Sequence, residues 1–210
     1  ITLEERIEAM NMLMEILENP NSESTKEKID ILTGSADEMV QNPKYRDLVK
    51  NMKSVLAVHS SFDEATKECM VRWLKEMNFG MQKFLKQEVY SFDDLDEYCY
   101  YVAGTPSGFL TELIRKRSKD LSEENSSILK ENERDFGLFL QKVNIIRDFR
   151  EDILDNEKIF WPGFLFEKYQ VMPEKLLDED NKEKSMQILD YMLDNACKHI
   201  EPVKAYLNSI

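Results

Sequence analysis

The sequence has few positively charged residues for its acidity and no long hydrophobic run. Its 28 Lys and Arg residues stand against 41 Asp and Glu residues, which gives a formal net charge of -13. Proteins that bind nucleic acid need clustered cations to contact the phosphate backbone, so this balance argues against a nucleic-acid partner. No segment approaches the roughly 20 apolar residues that cross a bilayer, and no signal peptide is evident. We therefore expect a cytoplasmic protein, or one that lies peripherally on a membrane.

Cysteine and histidine are also scarce. The three cysteines, Cys69, Cys99 and Cys197, are widely spaced and form no C-x-x-C pair. An odd set without a pattern favours reduced thiols over a disulfide framework. His59 and His199 are too few and too far apart to indicate a zinc site.

Only six Gly and six Pro interrupt the chain, and apolar residues recur with helical spacing along most of it. No stretch alternates convincingly as a strand. We predict helices at about residues 3–18, 25–40, 44–58, 62–87, 93–117, 123–155 and 183–209. A hydroxyl residue three positions before an acidic one indicates a helix start in four places: Thr2 with Glu5, Ser24 with Glu27, Ser61 with Glu64, and Ser91 with Asp94. These patterns predict an all-α fold in a single domain over residues 1–210.

The predicted helix at about 123–155 carries a narrow polar strip on an otherwise apolar segment. At about 100° per residue, five positions fall within a strip about 80° wide: Gly137, Gln141, Asn144, Asp148 and Asp152. Apart from the glycine, these side chains are short and carry oxygen, and Mg²⁺ takes such ligands together with the phosphate oxygens of a substrate. Asp148 and Asp152 also repel each other unless a cation lies between them. The alternative is a solvated acidic face whose spacing has no function.

Four segments resemble the squalene/phytoene synthase family, on the squalene side. The run from Phe139 to Asp152, followed by Phe160-Trp161-Pro162, resembles the second aspartate-rich motif of squalene synthases. The run from Tyr98 to Gly104 resembles the tyrosine-bearing helix of that family, and the run from Asn78 to Met81 resembles its glycine-methionine step. The run from Asn195 to Leu207 is similar to a later family helix. The four segments follow the family order and cover roughly residues 70–210.

The resemblance implies an isoprenoid (terpenoid) synthase fold, with helices around a central cavity. It also implies the head-to-head condensation of two farnesyl diphosphates, through presqualene diphosphate, to squalene. Mg²⁺ would be required, and NADPH would supply the reduction. Peripheral membrane association for product release is a further expectation, and no protein partner is evident.

The resemblance assigns the metal and diphosphate contacts to the polar strip and its neighbour. Mg²⁺ would be bound by three side chains: Asn144, Asp148 and Asp152. Gln141 and Arg147 would orient or contact the diphosphate and the metal shell.

The resemblance assigns the remaining roles to residues outside those contacts. Tyr98 would be the catalytic tyrosine of the first half-reaction, as proton acceptor or cation stabiliser. Val102 and Gly137 would line the cavity. Lys158 stands where the family has an arginine before Phe-Trp-Pro, so it keeps the charge for substrate binding but loses bidentate phosphate geometry.

Two departures from the family leave alternatives open. The segment Ile1–Arg6 is like the one that follows the first aspartate-rich motif, so we expect the chain to start just after that motif, as a partial domain. The chain has Pro106-Ser107 where the family has Val-Gly, and a proline inside a helix removes a hydrogen bond and kinks it. One alternative on the same scaffold is a phytoene- or dehydrosqualene-type synthase without reduction. The other is a non-catalytic member that binds isoprenoid diphosphates.

Overall fold

The computed structural model describes residues 2–20, 22–40, 42–154 and 159–210. Within these ranges the regular structure is helical throughout, with no β-strand, which confirms the all-α prediction. The chain divides into two compact units, Ile1–Leu85 and Lys86–Ile210. The prediction of one domain over residues 1–210 stays a prediction.

The first unit is a set of short helices followed by a long one. In chain order they are α1 (Leu3–Glu18), α2 (Glu23–Gly34), α3 (Ala36–Met39), α4 (Pro43–Lys50), α5 (Met52–Ser60) and α6 (Glu64–Lys86). Its core is an apolar cluster formed by four buried side chains: Ile16, Ile29, Leu32 and Met52. The predicted helices at 25–40 and 44–58 are each divided into two.

The second unit is built on one long helix. Its helices are α7 (Phe92–Cys99), a π-helical turn (Tyr100–Gly104), α8 (Thr105–Arg117), α9 (Glu123–Leu154), α10 (Gly163–Tyr169), α11 (Lys182–Cys197) and α12 (Ile200–Asn208). At 1.5 Å per residue α9 is about 48 Å long, and α7, the π turn, α8, α11 and α12 all pack against it. The helix that carries the polar strip is therefore the centre of this unit.

Two of the predicted helix starts are confirmed by their hydrogen bonds. The Glu5 N–H donates to Thr2 Oγ1 at 3.2 Å, and the Thr2 N–H donates back to Glu5 Oε2 at 2.7 Å. Ser91 and Asp94 make the same reciprocal pair at the start of α7. In both places the side chains satisfy N–H groups that the first helical turn leaves without partners.

The other two predicted starts are wrong. Helix α2 begins at Glu23, one residue after Ser22, so Ser24 lies inside the helix. Helix α6 begins directly after Asp63, whose Oδ1 accepts the Thr66 N–H at 2.9 Å. Asp63 therefore caps the start of α6 in place of Ser61.

The predicted continuous helix at 93–117 is interrupted just before Pro106. The Thr105 N–H donates to the carbonyl of Tyr100, five residues back, which is the hydrogen bond of a π turn. Pro106 has no N–H to donate, and the Thr105 hydroxyl donates to the Tyr101 carbonyl at 2.7 Å. The kink expected at the proline is thus accommodated by a wider turn and a side-chain donor.

Helix α10 lies between the predicted helices at 123–155 and 183–209, where no helix was predicted. Its start is held by two backbone hydrogen bonds, from Gly163 N–H to the Val89 carbonyl at 3.0 Å and from Phe164 N–H to the Tyr90 carbonyl at 3.1 Å. These partners are distant in sequence, so local pattern could not reveal the helix. Among the described residues, no helix combines the length and hydropathy needed to cross a bilayer.

Candidate functional site

The polar strip lies on α9, as its spacing predicted. Gln141, Asn144 and Asp152 are half-buried, and the Asp148 side chain is 38% exposed. The three proposed metal ligands therefore stand on neighbouring turns of a helix whose other faces pack against the unit. Such positions keep oxygen atoms accessible to a ligand while the backbone that carries them is fixed.

Arg147 and Asp148 form a two-point ion pair within the strip. Arg147 Nε donates to Asp148 Oδ1 at 2.6 Å, and its Nη2 donates to Oδ2 at 2.8 Å. The hydrogen bond to Arg147 lowers the pKa of the Asp148 carboxyl below its usual value, although partial desolvation opposes this. Asp148 is therefore ionised near neutral pH, and both of its oxygens are occupied by the guanidinium. A metal ion that binds Asp148 must share these oxygens with the guanidinium or displace it, because each carboxylate oxygen has more than one lone pair.

Tyr98 lies at the end of α7, with 7% of its surface exposed. Its ring stacks on the ring of Phe160, with centroids 4.0 Å apart and planes 11° apart. Burial raises the pKa of the phenol, and the neighbouring Cys99 and the charge of Asp152 raise it further. The fold thus brings Tyr98 into the electrostatic field of Asp152 and keeps its hydroxyl protonated.

Gly137 lies where α9 crosses the π turn, backbone against backbone. A Cβ at this position would stand 2.5 Å from Gly104 Cα and 2.6 Å from the Ala103 carbonyl oxygen. Gly137 is therefore needed for the packing of these two elements. Val102 is half-buried within the π turn. The cavity-lining role of both residues stays a prediction.

The Phe-Trp-Pro segment folds back onto the strip helix. Trp161 is 2% exposed, and its indole N–H donates to the Ile145 carbonyl at 3.4 Å. Its ring also lies 4.8 Å from the ring of Phe149. These contacts place Phe160 against Tyr98, a pairing that sequence spacing did not suggest. Lys158, predicted to bind substrate, lies outside the described residues.

A polar chain centred on the buried Lys142 was not predicted from the sequence. Lys142 Nζ lies 2.5 Å from Asp96 Oδ1 and 2.7 Å from His199 Nε2. His199 Nδ1 in turn lies 2.6 Å from Asp135 Oδ1. The sequence contains one weak signal for it, because Lys142 lies between the apolar residues Leu138 and Ile145 on the predicted helix.

The donor set on α9 suits Mg²⁺ better than a softer metal. Two carboxylates and one amide oxygen supply only part of an octahedral shell, and Mg²⁺ normally completes its shell with waters and substrate phosphate. Within the part of the chain that the structure describes, no three His, Cys, Asp or Glu side chains form a complete metal cage. The residues therefore fit a metal that arrives with a phosphorylated ligand.

Comparison with known proteins agrees with this arrangement. The sequence profile of the squalene/phytoene synthase family matches residues 13–210. Squalene synthase 1 of Arabidopsis thaliana is 32% identical over 207 residues, which cover 94% of this chain and 50% of that protein. Squalene synthase of Nicotiana benthamiana is 38% identical over 158 residues, which cover 74% of this chain and 36% of that protein.

The fold also matches solved structures. A ligand complex of TcSQS superposes with a TM-score of 0.73 at 29% identity, over 96% of this chain and 62% of that chain. The chain spans about half the length of curated relatives such as the Arabidopsis thaliana protein.

Proposed function

Because this chain belongs to the squalene/phytoene synthase family and has the isoprenoid synthase fold, we propose that it takes part in the head-to-head condensation of two farnesyl diphosphates. Its second unit contributes a metal–diphosphate half-site and a buried tyrosine. The observation that carries the proposal is the strip of Asn144, Asp148 and Asp152 on α9, with Tyr98 in the field of Asp152.

The strip would hold the leaving group of the substrate. Asn144, Asp148 and Asp152 would bind Mg²⁺, which when bound neutralises the diphosphate so that the allylic C–O bond can ionise. Arg147 would turn from Asp148 to the diphosphate, because its planar guanidinium can bind phosphate oxygens at two points. Gln141, on the same strip, would hydrogen-bond to the diphosphate or to the metal shell.

Tyr98 would act on the carbocation that ionisation leaves behind. Its ring and that of Phe160 present stacked aromatic surface, and an aromatic face stabilises a desolvated cation by about 2 kcal/mol. The buried phenol keeps water away from the cation, which water would otherwise capture. Val102 and Gly137 would complete the apolar wall on the π turn and on α9.

The proposed product is squalene. The similarity to two plant squalene synthases supports this choice over a phytoene- or dehydrosqualene-type product. NADPH would then be the reductant, although none of the described side chains is assigned to it. Leaving NADPH out of the assay distinguishes the products, because only squalene formation needs a reductant. Peripheral association with a membrane during product release also stays a proposal.

The half-site can be tested by thermal-shift titration with a farnesyl thiodiphosphate analogue, with and without Mg²⁺. A ligand that binds only the native state raises the melting temperature. We expect a Mg²⁺-dependent rise in the wild-type chain that Asp148→Asn loses. Asp190→Asn is the matched control, because Asp190 is an exposed aspartate on α11 of the same unit. An equal rise in Asp148→Asn would contradict the metal assignment.

Catalysis is tested separately in the complete natural protein by measuring C30 product. Product that depends on Mg²⁺ and NADPH supports the proposed reaction. Mg²⁺-dependent binding without any product would instead favour a non-catalytic member of the family.

A further inference from the structure

Among the described residues of the second unit, Lys142 is the most buried charged side chain, with 1% of its surface exposed. Burying an ammonium group is costly unless partners replace its hydration. Lys142 has two such partners, the Asp96 carboxylate from α7 and the His199 ring from the residue before α12. The proposed reaction uses neither contact.

The direction of these hydrogen bonds follows from which groups carry hydrogens to donate. An ammonium group has only hydrogens to offer, so His199 Nε2 accepts from Lys142. The other ring nitrogen, Nδ1, then carries the hydrogen that it donates to Asp135 at 2.6 Å. Asp135 and Lys142 are two turns apart on α9, so the ring of His199 bridges one face of that helix.

The chain of contacts joins α7 and the residue before α12 to one face of α9. Asp96 comes from α7, Lys142 and Asp135 from α9, and His199 from the start of α12. The pKa of the Cys99 thiol, on the same face of α7 as Asp96, also responds to the charge of Lys142. Burial raises its pKa to about 12, while the charge of Lys142 opposes that rise. Helix α7 is therefore attached to α9 through the Asp96–Lys142 contact.

This attachment lies two residues from the proposed catalytic tyrosine. Asp96 and Tyr98 sit on one rigid eight-residue helix, so a movement of Asp96 moves Tyr98 with it. Lys142 lies on α9 directly after Gln141 and two positions before Asn144 of the strip. The contact thus joins the helix that carries the tyrosine to the helix that carries the proposed diphosphate ligands.

We propose that Lys142 is a positioning residue for Tyr98: its ion pair with Asp96 fixes the position of α7, and so of the tyrosine, against α9. This inference rests on the proposed function. His199 and Asp135 hold the Lys142 side chain in its place, and Lys142 itself does not touch the substrate. The ion pair therefore acts on the step that needs Tyr98 and not on diphosphate binding.

The test compares Asp96→Asn with Asp93→Asn in the complete natural protein. Both changes remove one negative charge from α7, but Asp93 is exposed and Asp96 contacts Lys142. Small misplacements of a catalytic group cost rate without costing affinity. We therefore expect Asp96→Asn to lower kcat by about 10- to 100-fold, with KM changed by less than about twofold. Asp93→Asn should change neither constant.

A second readout follows Tyr98 without any turnover. With 3-fluorotyrosine at position 98, the ¹⁹F resonance should shift or broaden in Asp96→Asn and in Lys142→Gln, and stay unchanged in Asp93→Asn. Lys142→Gln leaves the Asp96 carboxylate, which is 30% exposed, without its cation and is the harsher change. If the Lys142→Gln protein does not fold, the ¹⁹F comparison rests on the isosteric Asp96→Asn variant alone.

The inference is overturned if the ¹⁹F resonance of Asp96→Asn matches the wild type, or if that variant loses substrate affinity and rate together. A wild-type protein with no turnover and no Mg²⁺-dependent ligand binding would refute the proposed function instead. The fluorine measurement would then still decide whether Lys142 positions Tyr98.

Discussion

Replacing Gly137 by alanine tests the crossing of α9 and the π turn. The added Cβ would stand 2.5 Å from Gly104 Cα and 2.6 Å from both the Ala103 oxygen and the Gly104 nitrogen. Carbon atoms in good contact lie about 3.5–4.0 Å apart, so the two backbones must separate by about 1 Å. All three obstacles are backbone atoms, which cannot turn away as the end of a flexible side chain could.

The expected cost follows from two opposing effects. Overpacking of a tight contact costs about 1–3 kcal/mol, and occasionally more. Alanine recovers up to about 1 kcal/mol, because glycine is the poorer residue inside a helix. Since rigid backbone opposes the new methyl group, we expect the net loss in unfolding free energy to be about 2 kcal/mol.

Urea denaturation followed by tryptophan fluorescence measures this loss in the second unit. The chain has two tryptophans, Trp73 and Trp161, so a Trp73→Phe background leaves a reporter buried in that unit. Gly34→Ala is the control, because no atom lies within 4 Å of a Cβ built there. It should be neutral or slightly stabilising. A Gly137→Ala protein as stable as its parent would refute the proposed contact.

Three further predictions concern pH, the proline and the arginine. Burial lowers the pKa of His59 below 6.5, so acidification should destabilise the first unit, and His59→Leu should remove that effect. Thr105→Val should cost about 1 kcal/mol by removing a buried hydroxyl donor. The cost should shrink in a Pro106→Ala background, where the amide can donate. Arg147→Gln should tighten Mn²⁺ binding to the unliganded protein, because the guanidinium no longer occupies Asp148, yet weaken Mg²⁺-dependent binding of the thiodiphosphate.

The sign of the pH effect follows from linkage. Neither ring nitrogen of His59 has a hydrogen-bond partner among the described residues, so the native chain takes up a proton less readily than the unfolded one. Unfolding free energy is therefore highest above pH 6.5 and falls as the pH drops through the lower native pKa. Equal pH slopes for wild type and His59→Leu would contradict this.

The remaining two predictions have equally direct refutations. Equal losses of unfolding free energy for Thr105→Val with and without the proline would show that the hydroxyl does not replace a missing N–H.

Isothermal titration with Mn²⁺ measures the effect of Arg147→Gln on metal affinity. Weaker Mn²⁺ binding in that variant would show that Arg147 supports the metal site and does not compete for it.

Local pattern was sufficient for the all-α fold and for the strip. Helical periodicity depends on neighbours three and four positions away, so α9, predicted at 123–155, is observed at Glu123–Leu154. The same periodicity placed Gln141, Asn144, Asp148 and Asp152 along one face. The capping pairs at Thr2 and Ser91 were also local, since each joins residues three positions apart. The metal and diphosphate roles of the strip stay predictions.

Other elements depended on partners far along the chain. Helix α10 starts where two of its N–H groups meet carbonyls of residues 89 and 90. The π turn has two causes. Pro106 lacks an N–H for a regular helical hydrogen bond, and the backbones of Gly137 and Gly104 cross closely beside it. A sequence shows that a proline must disturb a helix, but the turn that absorbs the disturbance depends on what packs beside it.

The sequence by itself determined which residues share the face of α9 and suggested the chemistry they offer. Only the tertiary structure decided that Tyr98 meets Phe160 and lies in the field of Asp152. It also decided that Lys142 is buried between Asp96 and His199, which is 57 residues away. The physical reason is the distance along the chain over which each interaction acts. Helix periodicity is fixed within a few residues, whereas a buried ion pair forms only when packing brings distant charges together and removes the water between them.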